Sequence, residues 1–193
     1  MPLLVEPTLP VGILRGIEQP RVEVDGELAL RPWRSGDAGA VKVAFDCVEI
    51  QRWHVRRMAG EDEAREWTVQ WVERWNTESA ASWAVVDRGD EVVGQVGLRN
   101  VSLAEGSAGL SYWVTPAARG EGVAARAVQA LTGWAFCTIG FNRLGIQHST
   151  ANVASCRVAA RTGFLVEGTL RQAIKHADGW HDWHIHGRLR GDT

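Results

Sequence analysis

Lysine is nearly absent: Lys42 and Lys175 are the only two, and arginine carries the rest of the positive charge. That balance reads as the codon bias of a G+C-rich genome before it reads as function. The 21 Lys+Arg nearly cancel the 23 Asp+Glu. A net charge of −2 without a basic run supplies no field for nucleic acid, so none is expected as a partner. Cysteine is scarce, with Cys47, Cys137 and Cys156 in no CxxC spacing. The odd count argues against a disulfide framework or a zinc knuckle and fits a reducing cytoplasm, the expected location. The N-terminus has no basic stretch ahead of an apolar one, so no secretory leader is expected. No apolar run approaches the roughly 20 residues that span a bilayer, so no membrane role is expected. Internal repeats and low-complexity tracts are also missing.

What is present is ordinary in bulk. Of 193 residues, 45% are hydrophobic and 23% charged, enough for one domain with its own core. Tryptophan is the exception, at 10 residues against a single tyrosine. Trp53 precedes Trp67, Trp71 and Trp75, whose i, i+4, i+8 spacing marks one helical face. Two readings are open: a stripe facing the core, or the aromatic wall of an acceptor pocket.

Residues 1–26, rich in proline and glycine, read as an extended arm that straps a partner subunit in a homodimer. Residues 27–193 read as one domain. A short strand at Leu28–Pro32 is followed by a helix from Ser35-Gly36-Asp37 to about Trp53. A second helix spans Glu61 to about Asn76, acidic at its start as the helix dipole prefers. Strands follow at 82–86, 91–101 and 108–115. A helix from about Gly122 to Thr138 leads to a strand at 143–150, a helix at 154–161 and strands at 164–173 and 181–189. The class is α+β with a mixed sheet.

The most informative segment is Tyr112-Trp113-Val114-Thr115-Pro116-Ala117-Ala118-Arg119-Gly120-Glu121-Gly122-Val123-Ala124. It runs strand, proline turn, glycine-rich loop, helix N-terminus. Gly120 and Gly122 let backbone approach a ligand closely. The free amides of the first helical turn make a phosphate site, to which Arg119 adds charge. A Walker loop needs Lys-Ser/Thr where Val123-Ala124 stand. A dinucleotide fingerprint needs a third glycine and an early βαβ unit. Arg-Gly-x-Gly-x-Ala after a Val-x-Pro strand end resembles instead the pyrophosphate loop of the GNAT N-acetyltransferases. Asn152-Val153-Ala154-Ser155, then Gly163-Phe164, is similar to the RimJ/RimL-like branch. Leu28–Pro32, Val93–Gly97 and Glu167-Gly168-x-Leu170-Arg171 match as well, so the resemblance runs over roughly residues 27–190.

The resemblance implies a mostly antiparallel, bent sheet of about six or seven strands, whose fourth and fifth strands splay to admit pantetheine. It implies acetyl-CoA or another acyl-CoA as co-substrate, an amine acceptor and no metal. The backbone of Tyr112, Trp113 and Val114 would bond the pantetheine, and the Val114 amide would polarise the thioester carbonyl. The Arg119, Gly120, Glu121, Gly122, Val123, Ala124 and Ala125 amides would hold the pyrophosphate. Asn152 would bond the pantetheine amide or cap the following helix, and both roles are compatible. Ser155 would protonate the departing thiolate, or bond a helical carbonyl.

Two departures from the family matter. Gly109 and Ile174 stand where relatives carry glutamates that relay the amine proton. Glu167, His176, Asp182 or a water chain remain as relays, with Glu167 and Asp182 taken as catalytic alongside Ser155. Asp182, His184 and His186 share a strand face, a spacing that suits zinc. Four protein ligands are not evident, and a polar sheet face is the plainer reading. The expected function is transfer of an acetyl group, or a succinyl group held by Arg52, Arg56 and Arg57, to a protein N-terminus or a small amine. The alternative is a non-catalytic CoA-binding sensor on the same fold.

Overall fold

The computed structural model describes residues 4–192. Its frame is an eight-stranded sheet in the order β1-β2-β3-β4-β5-β6-β8-β7. The strands are β1 (Val22–Glu23), β2 (Ala29–Pro32), β3 (Ala81–Val86), β4 (Val92–Ser102), β5 (Ser107–Val114), β6 (Arg143–Ser149), β7 (Leu165–His176) and β8 (Gly179–Leu189). Every neighbouring pair is antiparallel except β5 and β6. That parallel pair needs a crossover, supplied by α4 (Val123–Trp134) and a π-helical turn over Ala135–Ile139. The eighth strand beyond the expected six or seven is β1, which adds Val22 and Glu23 to the β2 edge.

Both faces of the central sheet are covered, which is why all six residues of β3 are buried. Trp83 and Val85 pack with Leu30, Val96, Leu98 and Leu131 beneath α4. Ala84 and Val86 face the other way, with Val41, Phe45, Trp67, Trp71 and Trp113. That second core is roofed by α1 (Ala38–Asp46), α2 (Val48–His54) and α3 (Glu61–Asn76). One helix is expected over 35–53, but the chain breaks at Cys47, which is extended. Phe45 and Ile50 are both buried in this core. In a continuous helix they would point about 140° apart, so the break turns both inward.

The tryptophan stripe of α3 is buried, so the core reading of Trp67, Trp71 and Trp75 holds. Trp67 meets Trp33 edge-on at 5.0 Å, and Arg99 lies 4.3 Å over the Trp71 ring. Of the segment expected as an arm, residues 8–23 pack on the domain that follows. Leu14 is 0% exposed, and the Glu78 carboxylate accepts the N–H groups of Gly12 at 2.7 Å and Leu14 at 2.8 Å. Burial works to raise the Glu78 pKa, but those donated bonds hold it below the ordinary carboxylate value. Trp83 donates to the Pro20 carbonyl at 2.8 Å. Among the described residues no helix is long and apolar enough to cross a membrane.

Candidate active site

The site begins where two strands part. β5 and β6 pair from Ser107 with Arg143 to Leu110 with Ile146, and no further. Beyond that point β5 continues to Val114 against β4, and β6 continues to Ser149 against β8. The gap between them is a cleft of about 610 Å³.

Strand alternation decides which backbone groups face it. Thr115 donates its N–H to Val93 on β4, and the Tyr112 carbonyl accepts from His54 on the other side. Tyr112 and Val114 therefore turn their backbone groups toward the cleft, and Trp113 turns its own toward β4. Trp113, expected to bond the pantetheine through its backbone, instead points its backbone groups to β4, although the residue lines the cleft.

The glycine-rich loop closes one end. Gly120 has φ +90° and Gly122 φ +73°, left-handed conformations that favour glycine. Gly122 caps α4, whose first bond is Arg126 N–H to the Gly122 carbonyl. The amides of Val123, Ala124 and Ala125 precede that bond and are the helix's free donors. Gly120, Gly122, Val123, Ala124 and Ala125 line the cleft, and Glu121 does not. Arg119 lines it too, reaching Cys47 Sγ at 3.1 Å and Glu49 at 3.8 Å.

Opposite stands α5 (Val153–Arg161). Asn152 Oδ1 accepts the Ser155 N–H at 3.1 Å, so it caps this helix. Ser155 Oγ lies 2.6 Å from the Tyr112 hydroxyl. Burial pushes the Tyr112 pKa up to about 12, so its phenol stays protonated near neutrality. Arg157 and Arg161 also line the cleft. Their i, i+4 spacing puts them on one helical face, a signal the sequence carried and its reading missed. With Arg119 they leave Glu49 as the one carboxylate in a cation-rich lining.

The far end is built from imidazole and indole. Trp53, Trp113 and Trp183 line it, so the aromatic wall exists but comes from other tryptophans than the α3 stripe. His54 Nε2 donates to the Tyr112 carbonyl at 3.1 Å, and burial lowers its pKa to about 4. His176 Nδ1 donates to the Arg52 carbonyl at 2.8 Å, while its buried Nε2 has no partner among the described residues. Ser149 Oγ lies 2.7 Å from His181 Nδ1, and His181 Nε2 lies 2.9 Å from Asp178.

Of the three relays named from sequence, only His176 lines the cleft. Glu167 is paired with Arg143 outside it. Asp182 accepts the Gln172 N–H at 2.8 Å and anchors the β7–β8 ladder. Both residues, expected to be catalytic, thus lie outside the lining. Ile174 lines the cleft where a family glutamate is expected, and Gly109 lies outside it. Arg52, expected to hold a larger acyl group, pairs with Asp178 at 2.8 Å; like Arg56 and Arg57 it is not part of the lining.

Comparison with known proteins agrees with this geometry. Residues 27–165 match the family described as acetyltransferase (GNAT) domain. The chain is 27% identical over 122 residues to the ribosomal-protein-serine acetyltransferase of Escherichia coli K12, covering 63% of this chain and 68% of that protein. The fold is similar to that of a ribosomal-protein-S5-alanine acetyltransferase from Vibrio fischeri, at TM-score 0.81 and 21% identity, over 90% of this chain and 98% of that one. It is also similar to a ribosomal L7/L12 alpha-N-protein acetyltransferase in complex with coenzyme A, at TM-score 0.80 and 21% identity, over 88% and 98%. Splayed strands, glycine loop and capped α5 thus sit in a matching sequence and a matching fold: the chain belongs to the GNAT acetyltransferase family.

Proposed function

We propose that the protein transfers an acetyl group from acetyl-CoA to a primary amine, with a protein N-terminus as the acceptor class. The observation that carries this reading is the cleft between β5 and β6, which opens onto Gly120, Gly122 and the free amides of Val123, Ala124 and Ala125 at one end and the Tyr112–Ser155 hydroxyl pair along its wall. The loop amides and Arg119, Arg157 and Arg161 take the pyrophosphate. The pantetheine extends between the strands and bonds the outward backbone of Tyr112 and Val114, with Asn152 Nδ2 as a further donor. The Val114 N–H polarises the thioester carbonyl and stabilises the oxyanion.

The neutral amine then attacks. A C–N bond forms, the tetrahedral intermediate collapses and the C–S bond breaks. His176 Nε2 accepts the proton lost by the amine, because it is the bare nitrogen of an imidazole fixed at Nδ1. The Tyr112–Ser155 pair donates a proton to the departing sulfur, which leaves as CoA thiol. Holding both reactants in line supplies much of the acceleration. The acceptor class rests on those relatives that are ribosomal-protein acetyltransferases. A cytoplasmic location follows from that class of acceptor.

A second reading, a CoA-binding module without chemistry, is favoured by Gly109 and Ile174 at the two positions where family glutamates are expected. One experiment separates the two. Purified protein is given acetyl-CoA with peptides beginning in Ser or Ala, and with a panel of small amines. Thiol release and peptide mass are followed. Acetylated peptide supports the transferase. Retained CoA binding without thiol release on any acceptor supports the module and overturns the transferase.

A further inference from the structure

At the edge of the cleft, which His148 itself lines, lies a cluster to which the proposed acyl transfer assigns no step. His148 on β6, His184 and His186 on β8 and Cys156 on α5 each bring one ligand atom within 4.8 Å of all the others. His148 and His184 are cross-strand partners, and His186 lies two residues along the same face. Cys156 comes from the helix that crosses this face. The sequence pattern pointed to Asp182 as the companion of His184 and His186. The fold replaces it with His148 and Cys156, which sequence spacing gave no reason to join.

We propose that His148, His184, His186 and Cys156 bind a zinc-class transition-metal ion that fastens α5 to β6 and β8. Three imidazoles and a thiolate suit zinc and do not suit magnesium or calcium. His148 Nδ1 lies 2.8 Å from the Ser149 carbonyl, which can only accept. The proton therefore sits on Nδ1 and Nε2 is bare, the arrangement in which a backbone carbonyl orients a metal-binding histidine. That bare Nε2 lies 3.1 Å from Nε2 of His186. Two nitrogens on one tetrahedral zinc stand roughly 3.3–3.4 Å apart, given zinc–nitrogen bonds of about 2.0–2.1 Å.

An N–H···N bond would also fit that distance, but it would make His186 the Nε2 donor. Its Nδ1 would then be a bare acceptor, and that atom is buried without a partner among the described residues. His184 Nδ1 is likewise buried and unpartnered. His148 and His186 are 6% and 1% exposed, so water is a poor substitute. Binding releases the Cys156 thiol proton to solvent and leaves the His148 Nδ1 proton in place. The ion's role is positional: Cys156 follows Ser155, and the same helix carries Arg157 and Arg161.

The test is metal content and cobalt spectroscopy on tag-free full-length protein, which need no turnover. After dialysis, elemental analysis should find stoichiometric zinc. Cobalt(II) exchanged into chelator-treated protein should show intense tetrahedral bands with thiolate charge transfer. Cys156→Ser should lose the charge-transfer band, and His184→Ala with His186→Ala should lose the metal. Should those variants fail to fold, the wild-type cobalt spectrum still decides. A six-coordinate spectrum without thiolate charge transfer, or no stoichiometric metal after zinc is supplied, overturns the proposal. Either result leaves the acetyl-transfer reading untouched.

Discussion

The two ends of the cleft use different chemistry. At the loop end the donors are backbone amides of Val123, Ala124 and Ala125, backed by Arg119, Arg157 and Arg161. At the hairpin end the polar groups are side chains, chiefly His54 and His176, set among Trp53, Trp113 and Trp183. A backbone site depends on conformation, so it demands glycine at fixed spacing. A side-chain site depends on which distant segments the fold joins. The loop end therefore suits a constant anionic group, and the hairpin end is free to vary.

That comparison can be broken by mutation. The largest effect is expected at the hydroxyl pair, where Ser155→Ala combined with Tyr112→Phe removes the proton donor to sulfur. Steady-state kinetics should show kcat lower by about 10²–10⁴-fold, the usual worth of acid catalysis. A loss confined to KM for acetyl-CoA would make the pair a binding element only. His176→Gln comes next, with kcat lower by about 10²-fold and an altered pH–rate profile. Its affinity for CoA, measured calorimetrically, should stay near wild type, because His176 belongs to the acceptor end.

His54 gives a smaller and purely thermodynamic effect. Its pKa of about 4 in the fold lies below the ordinary 6.5, because burial disfavours the charged ring. The unfolded chain binds that proton first, so stability is full above about pH 6.5 and declines as pH falls toward 4. The contribution is about 3 kcal/mol, or roughly 6–12 °C in Tm for a chain of this size. His54→Phe should flatten Tm against pH over that window, and an unchanged slope would assign the acid sensitivity elsewhere. The smallest effect is expected from Glu167→Gln and Asp182→Asn. Both lie outside the cleft, and each should leave kcat within about twofold of wild type.

The same contrast explains what was legible in sequence. The glycine loop, the Asn152 cap and the succession of strands along the chain follow local rules, and they appear where the motifs and periodicity put them. The α3 tryptophans followed helical periodicity into the core. What escaped was assembled at long range. His54 meets a carbonyl 58 residues away, and His176 meets one 124 residues away. Glu167 matched a family position, but strand pairing set it beside Arg143 and away from the cleft. Cys47 breaks the first helix because Phe45 and Ile50 share one core, which helical periodicity alone does not reveal.

Binding of acetyl-CoA by the backbone amides at the loop end is decided by calorimetric titration of acetyl-CoA into wild-type protein and Gly122→Val. Valine resists the left-handed conformation at this position by about 1–2 kcal/mol or more. Saturable binding to wild type is expected, with an affinity weaker by about 5–30-fold in the variant and the far-ultraviolet spectrum retained. Equal affinities, or no binding to wild type at millimolar acetyl-CoA, would contradict that mode of binding.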